Sequence, residues 1–383
     1  MFYNSTTILR IFGIDIRIAA SWFLIAALVT WSLANQVFPV EIPGQSAGHY
    51  LLLGSATMII FFASLLLHEL AHALVARYHG IEVPTITLFL FGGVAELGEQ
   101  PKTAGQEFWI AVAGPAMSLT LASIFWVLSI LISLSNDVFS IQAVLGYLAK
   151  LNLVLAIFNV LPAFPLDGGR VLRAILWSRG GDVVKATEQS ARLGEFLAFA
   201  LMIFGLLSLF QGLQLSGAWL ILLGLFILFA ARGAVESLRT KTLLGGQMVA
   251  DVMSSDVITT DPDVTLDDLV DRTMLPHRVS FVPVVEKNVL LGHIDTTVLA
   301  MIDRDNWPNT CVGDVFVGLD RETAVSPGAA AIDVLKRFAE TGTRKLLVVE
   351  DAQLVGVVTL SDLGRLLHLM SELQLRGRDI GQK

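Results

Sequence analysis

Charge is scarce in this chain of 383 residues: Asp, Glu, Lys and Arg make up 16% of it, against about 25% in ordinary soluble domains. Hydrophobic residues fill 54%. Cysteine is almost missing. The single thiol, Cys311, has no partner for an internal disulfide, which excludes a disulfide-stapled scaffold and fits a reducing compartment. A basic excess is missing as well. The formal net charge of −8 lies wholly in the C-terminal part: residues 1–249 carry 13 acidic and 13 basic side chains, residues 250–383 carry 21 and 13. An acidic end speaks against a nucleic-acid partner. No cleavable signal or transit peptide is evident. The first apolar run, Ile18 to Phe38, has spanning length and no small-residue cleavage site.

What the chain does have is long apolar runs. Hydropathy predicts six spans of about 20 residues or more, near 18–38, 50–78, 106–134, 141–162, 193–212 and 215–235. Lys and Arg gather in alternate connections: Arg10 and Arg17, then Arg77 and Lys102, then Arg170, Arg173, Arg179, Lys185 and Arg192, then Arg232, Arg239 and Lys241. Loops 39–49, 135–140 and 213–214 hold none. The positive-inside rule therefore expects both termini in the cytoplasm, the protein crossing the plasma (inner) membrane. Lys150, within the fourth span, is expected to snorkel outward or to face a partner helix.

The second span contains His68-Glu69-Leu70-Ala71-His72 within the apolar run from Leu51 to Val75. Residues four apart share one face of a helix, so the two imidazoles can bind one metal ion. Glu69 is then placed to activate water as a general base. In lipid, such polar groups cost about 2.5–3.5 kcal/mol each at mid-helix and are functional by default. The pattern points to metal-assisted hydrolysis inside a membrane. A helix from Tyr50 to Tyr78 would be about 43 Å long, exceeding a hydrocarbon core of about 30 Å. The histidines should therefore lie below the cytoplasmic surface, in a cavity that water reaches.

A catalytic zinc usually takes three protein ligands. The segment Asn159-Val160-Leu161-Pro162-Ala163-Phe164-Pro165-Leu166-Asp167-Gly168-Gly169-Arg170 ends the fourth span, and its two prolines break the helix. Asp167 arrives at about the depth of the histidines. On these grounds alone it is either the third ligand or a capping aspartate in an ordinary helix-end loop.

His-Glu-x-x-His in one span, followed by N-x-x-P-x-x-P-L-D-G-G-R, resembles the site-2 protease family of intramembrane zinc metalloproteases. Phe91-Gly92-Gly93-Val94-Ala95 and Ala113-Gly114-Pro115 fit it too. The resemblance covers approximately residues 5–240. It implies one Zn2+ per chain on His68, His72 and Asp167, with Glu69 as base and Asn159 near the scissile carbonyl. The implied substrate is a single-span segment of a membrane protein, reached from the lipid bilayer.

Residues Val83 to Ala95 favour strand by composition and are too short to span. They form either a strand pair whose backbone receives an unwound substrate or an amphipathic surface hairpin. The resemblance favours the first, with Phe91, Gly92, Gly93 and Val94 as substrate-binding residues. Glu107 and Glu195 are expected to be interfacial. His49, His79, His277, His293 and His368 are expected at the surface or at helix ends. Asn152 shares a face with Asn159 and is expected to hydrogen-bond another helix.

The C-terminal third repeats itself. Val249-Ala250-Asp251-Val252-Met253 corresponds to Val312-Gly313-Asp314-Val315-Phe316, 63 residues on, and each leads into a helix, two β-rich apolar runs and a short helix. The pattern resembles a pair of CBS domains, α/β modules that in some proteins bind adenine nucleotides. The resemblance implies ribose contacts from Thr359 and Asp362. The first repeat has Val298 where the second has Asp362, so at most one ribose site is intact.

The expected fold class is a polytopic α-helical membrane protein with six transmembrane helices and a cytosolic α/β CBS pair. The expected organisation is a protease domain (1–240), a linker (241–248), two CBS domains (249–305 and 306–372) and a tail (373–383), with a homo-oligomer formed through the CBS domains. The expected function is an intramembrane zinc metalloendopeptidase, modulated by the CBS pair. Two alternatives remain: a CBS-regulated transporter or channel, and an inactive relative that retains membrane clients. No repeat between the membrane halves favours the transporter, and neither Glu69 nor a ligand has been lost.

Overall fold

The computed structural model describes residues 5–133, 139–320 and 323–380. The chain divides into two compact units, Met1–Glu236 and Ser237–Lys383.

The first unit opens with a hairpin that hydropathy does not reveal, β1 (Ser5–Ile11) and β2 (Ile14–Ala19). Its turn places Phe12 (φ 50°) and Gly13 (φ 80°) in the left-handed region. Strand β2 runs straight into α1 (Ala20–Ser32), which passes through a π-helical turn, Leu33–Val37, into α2 (Phe38–Glu41). The second span is one helix, α3 (Ala47–Tyr78). It is capped by Ser46, whose side chain accepts from His49 N, and it ends before Gly80 (φ 79°). The segment after it forms β3 (Thr85–Phe89) and β4 (Gly92–Glu96), an antiparallel pair.

These four strands make one sheet in the order β1-β2-β3-β4, with β2 and β3 parallel from Asp15↔Thr85 to Ile18↔Leu88. Strand β4 is an edge. Ile14, Ile16 and Ile86 are fully buried against Leu70, Ala73 and Ala76 of α3. This apolar layer seats the sheet on the half of α3 that carries the two histidines.

The remaining helices are α4 (Ala104–Ser133), α5 (Phe139–Val160), α6 (Asp167–Gly180), α7 (Val183–Phe210) and α8 (Gln214–Leu244). Among the described residues six helices are long and apolar enough to span: Ala20–Glu41, Ala47–Tyr78, Ala104–Ser133, Phe139–Val160, Val183–Phe210 and Ser216–Leu244. The fifth begins ten residues before the hydropathic run, because Asp182 caps it by accepting from Val184 N (3.0 Å) and Lys185 N (3.1 Å). Lys150 finds a partner helix: its Nζ is 3.0 Å from Glu41 Oε1. Asn152 does not. It is fully buried, yet its amide donates to Leu148 O in its own helix and its Oδ1 has no hydrogen-bond partner.

The second unit begins within α8, whose end, Leu244, is fully buried in that unit's core. Helix therefore reaches into the segment expected to be linker. The first repeat contains α9 (Val249–Val252), α10 (Leu266–Asp268), a π-helical turn, α11 (Leu275–His277), β5 (Phe281–Glu286), β6 (Val289–Asp295) and α12 (Thr296–Ala300). The second contains β7 (Val317–Gly318), β8 (Ala324–Val325), α13 (Ala331–Thr341), β9 (Lys345–Glu350), β10 (Gln353–Thr359) and α14 (Leu360–Ile380).

The repeats exchange their leading segments. Val249 and Val252 pack with Val334, Phe338, Leu346 and Val358 of the second repeat. Val312, with Val315 and Phe316, packs with Leu266, Leu269, Val282 and Ile294 of the first. Hydrogen bonding follows suit: β7 pairs with β6, and Ser254 bridges to Val357. Sequence repeat and packing repeat are offset.

Candidate metal centre

Helix α3 presents His68 and His72 on one face, and α6 brings Asp167 as its first residue. His68 Nε2 and His72 Nε2 are each 3.2 Å from Asp167 Oδ2 and 3.2 Å from one another. Four ligands held tetrahedrally at about 2.0–2.1 Å from zinc lie about 3.3–3.4 Å apart. The three donor atoms thus already have the spacing of three corners of a zinc site.

The far side of each imidazole is held by α4. His72 Nδ1 is 2.6 Å from Ile110 O, which can only accept, so the proton sits on Nδ1 and Nε2 keeps its lone pair. His68 Nδ1 is 2.8 Å from Ser118 Oγ. Both supports come from α4, and so does the space between them. A Cβ on Gly114 would overlap His72 Nε2 and lie 2.6 Å from His68 Nε2. The cradle requires glycine. These residues fit a zinc ion in donor type and spacing, with His72 held in the ligating tautomer.

Asp167 owes its place to a loop locked against α7. Phe164 N donates to Ser190 O (3.2 Å), and a Cβ on Gly194 would collide with Phe164 O. Gly168 and Gly169 likewise press on the backbone at Val160 and Phe164. The proline-broken turn is thus held rigidly under the histidines.

A cavity of about 300 Å³ opens on the three donors, lined also by Glu69, Asn159, Arg170 and the β3–β4 turn. Glu69 rests on β4: a Cβ on Gly93 would be 2.5 Å from Glu69 Cγ and 3.0 Å from its Oε1. Asn159 donates one amide hydrogen to Leu155 O (3.1 Å) while lining the cavity. Phe91, Gly92, Gly93 and Val94 line it as well, with Phe91 stacked on Phe226 of α8 at 4.2 Å between centroids. Gly92 has φ 140°, a conformation that favours glycine.

Glu107 corrects the interfacial expectation. It is 1% exposed, and its Oε1 accepts from Arg170 Nε (3.1 Å) and Arg173 Nη2. The residue looked interfacial because it stands in the first turn of a span, and no local pattern marks partners 63 and 66 residues away. Glu195 instead pairs with Arg232 in a half-exposed bridge of 2.9 Å.

In the second unit, Thr359 and Asp362 meet as a reciprocal cap on α14. Thr359 Oγ1 donates to Asp362 Oδ2 (2.7 Å), and Asp362 N donates to Thr359 Oγ1 (3.1 Å). A cavity of about 240 Å³ is lined by Phe281, His293, Asp295, Arg344 and Lys345 among others, but by neither Thr359 nor Asp362. Lys345 is the ladder partner of Thr359. Burial in this region holds the Lys345 ammonium below its ordinary value. His293 is buried, not a surface residue. It stacks on Phe281 (4.6 Å) and its Nδ1 lacks a hydrogen-bond partner.

A helix that presents two imidazoles and a catalytic-type glutamate within a bundle of membrane-spanning helices narrows the class to metallopeptidases that work within a bilayer. Comparison with known proteins gives the family. Residues 56–205 match peptidase family M50, and residues 249–297 and 312–369 match the CBS domain. The chain is 39% identical to the putative zinc metalloprotease Rip3 of Mycobacterium tuberculosis, over 94% of this chain and 92% of that protein. It is 30% identical to the zinc metalloprotease MJ0392 of Methanocaldococcus jannaschii, over 97% and 98%. A solved site-2 protease from Methanocaldococcus jannaschii is 32% identical, covering 60% of this chain and 94% of that one, with a TM-score of 0.44. The chain belongs to peptidase family M50, the site-2 proteases, and is a multi-pass intramembrane zinc metalloprotease with a CBS pair.

Proposed function

We propose that His68, His72 and Asp167 hold one zinc ion per chain, that Glu69 is the general base, and that Asn159 steadies the carbonyl of the scissile bond. The mutual 3.2 Å spacing of three donor atoms at the head of a buried cavity carries this reading. When bound, zinc supplies Lewis-acid chemistry that makes water a nucleophile near neutral pH. Glu69 takes a proton from the attacking water and passes it to the leaving amine as the C–N bond breaks. Asn159 has amide capacity left beyond its bond to Leu155 to orient the carbonyl. Burial keeps bulk water from competing for these contacts.

The substrate in this proposal is a single-span segment of a membrane protein that unwinds and adds as a strand to the free edge of β4. Phe91, Gly92, Gly93 and Val94 then bind it, and the contact of Gly93 with Glu69 sets the added strand beside the base. The basic residues of alternate loops support an inner-membrane location with both termini and the CBS pair in the cytoplasm. An adenine nucleotide is assigned to the second CBS repeat, its ribose diol exchanging for the mutual hydrogen bonds of Thr359 and Asp362. The CBS pair also mediates self-association and modulates cleavage.

The decisive experiment compares wild type with Glu69→Gln in lipid, scoring cleavage of single-span substrates and zinc by mass spectrometry. Retained zinc with lost cleavage is expected for Glu69→Gln, and lost zinc for His68→Ala, His72→Ala and Asp167→Ala. Equal cleavage by wild type and Glu69→Gln removes the assignment. Calorimetry with ATP, ADP and AMP on wild type and Asp362→Ala tests the nucleotide, and absence of binding at millimolar concentration removes it.

A further inference from the structure

One cation in the protease cavity shares its hydrogen-bonded anion with a second arginine. Arg170 stands three residues after Asp167 on α6, so both side chains leave the same face of the helix. Both line the cavity that holds His68, Glu69 and His72. The guanidinium of Arg170 is tied by one atom, Nε, to Glu107 Oε1 at 3.1 Å. Among the described residues its two terminal amino groups make no hydrogen bond, although Asp167 and Glu69 lie near enough to interact with the guanidinium electrostatically.

Glu107 cannot neutralise everything attached to it. Its buried carboxylate is shared between Arg170 and Arg173, two cations on one anion. Arg173 spends its charge structurally: 11% exposed, it lies over the ring of Phe164 at 5.3 Å, in the loop that delivers Asp167. Arg170 is 19% exposed and opens on the cavity. An arginine held by its Nε, with both terminal groups free, offers the planar fork that recognises a carboxylate in bidentate fashion.

Hydrolysis of a peptide bond creates such a group. Water adds its oxygen to the carbonyl carbon, the C–N bond breaks, and the upstream fragment acquires a new C-terminal carboxylate in this cavity. We propose that Arg170, aimed by Glu107, is a substrate-contacting residue that binds the scissile-bond oxygen as it gains negative charge and then holds the new carboxylate of the upstream fragment. The inference rests on cleavage taking place in this cavity. It adds a product-recognition element to that reaction, with Glu107 as a positioning residue.

The test uses full-length protein in lipid carrying Glu69→Gln, so that binding is read without turnover. The probes are a short N-acetylated Leu/Ala peptide ending in a free carboxylate and the same peptide ending in a carboxamide. With zinc fully loaded, the carboxylate form should bind more tightly. Adding Arg170→Gln should shrink that preference about ten- to hundredfold, and Arg170→Lys should restore part of it. Glu107→Gln should weaken it in the same direction by a smaller factor. In the otherwise wild-type enzyme, Arg170→Gln should lower kcat more than it raises KM, at unchanged zinc. A preference that survives Arg170→Gln overturns the proposal. So does loss of zinc in step with activity in both Arg170→Gln and Arg170→Lys, which makes the residue a support for Asp167. Failure of cleavage in wild type would sink the catalytic reading without touching the peptide preference, so the two failures are distinguishable.

Discussion

Glu69 lies directly on the backbone of Gly93, so closely that a Cβ added there would stand 2.5 Å from Glu69 Cγ. The proposed base and the edge strand share a contact surface. A residue reached by the sequence argument as part of a substrate platform therefore also sets the position of the carboxylate.

Gly93→Ala should accordingly lower the cleavage rate by about a hundredfold, the order expected when a reacting group is displaced by about 1 Å. Zinc content should stay at the wild-type level, because the three atoms nearest an added Cβ all belong to Glu69 and not to the three donors. Parallel measurement of metal and turnover checks this. Loss of zinc would instead make β4 a support of the metal site.

Gly114→Ala should behave in the opposite way. Its Cβ enters the space between the two imidazoles, so the ion site itself closes. Zinc should fall below a tenth of the wild-type level and activity with it. Metal analysis of protein purified under identical conditions reads the outcome, and full zinc occupancy would show that α4 can retreat.

The pH dependence of the CBS pair should follow His293. Burial holds its imidazole below the ordinary value near 6.5, with Asp295 opposing weakly. Above about pH 6.5 both folded and unfolded forms are neutral and burial costs nothing extra. As pH falls through that value the unfolded chain takes up a proton that the folded chain refuses, so stability declines until the lower folded pKa is passed. The protection of β6 amides in the intact protein, measured as exchange relative to the intrinsic rate at each pH, should fall as pH drops below about 6.5. His293→Phe should flatten that profile.

Exchange of leading segments makes a cross-repeat prediction. Val249 belongs to the first repeat by sequence and to the core of the second by packing. Val249→Ala should destabilise that core by roughly 1.5–3 kcal/mol. Exchange should accelerate in β9 and α13 and stay unchanged in β5. Faster exchange in β5 alone would contradict the observed packing.

Legibility in the sequence was governed by distance along the chain. The helical period put His68 and His72 on one face with nothing else required, and the prolines announced the break that frees Asp167. The hairpin of β1 and β2 was not legible, because its second strand merges with the apolar run of the first span and its parallel partner β3 lies some 70 residues on. The role of Glu107 is hidden from a local reading for the same reason. A carboxylate at a span end reads as interfacial until the arginines that clamp it are known. Asn152 departs the other way: the face it shares with Asn159 suggests an interhelical bond, but its amide donates to the carbonyl of Leu148 one turn back in its own helix.

Biosynthesis gives the exchanged segments a further meaning. The ribosome delivers Val249 and Val252 long before the strands they pack against, and it completes the first repeat only when Val312 to Phe316 emerge. Neither half can close its core from its own stretch of chain. A chain that stops between the repeats would expose two incomplete apolar surfaces, the kind of exposure that draws chaperones and proteases. The two halves therefore complete their cores together, each waiting on residues that the other repeat supplies.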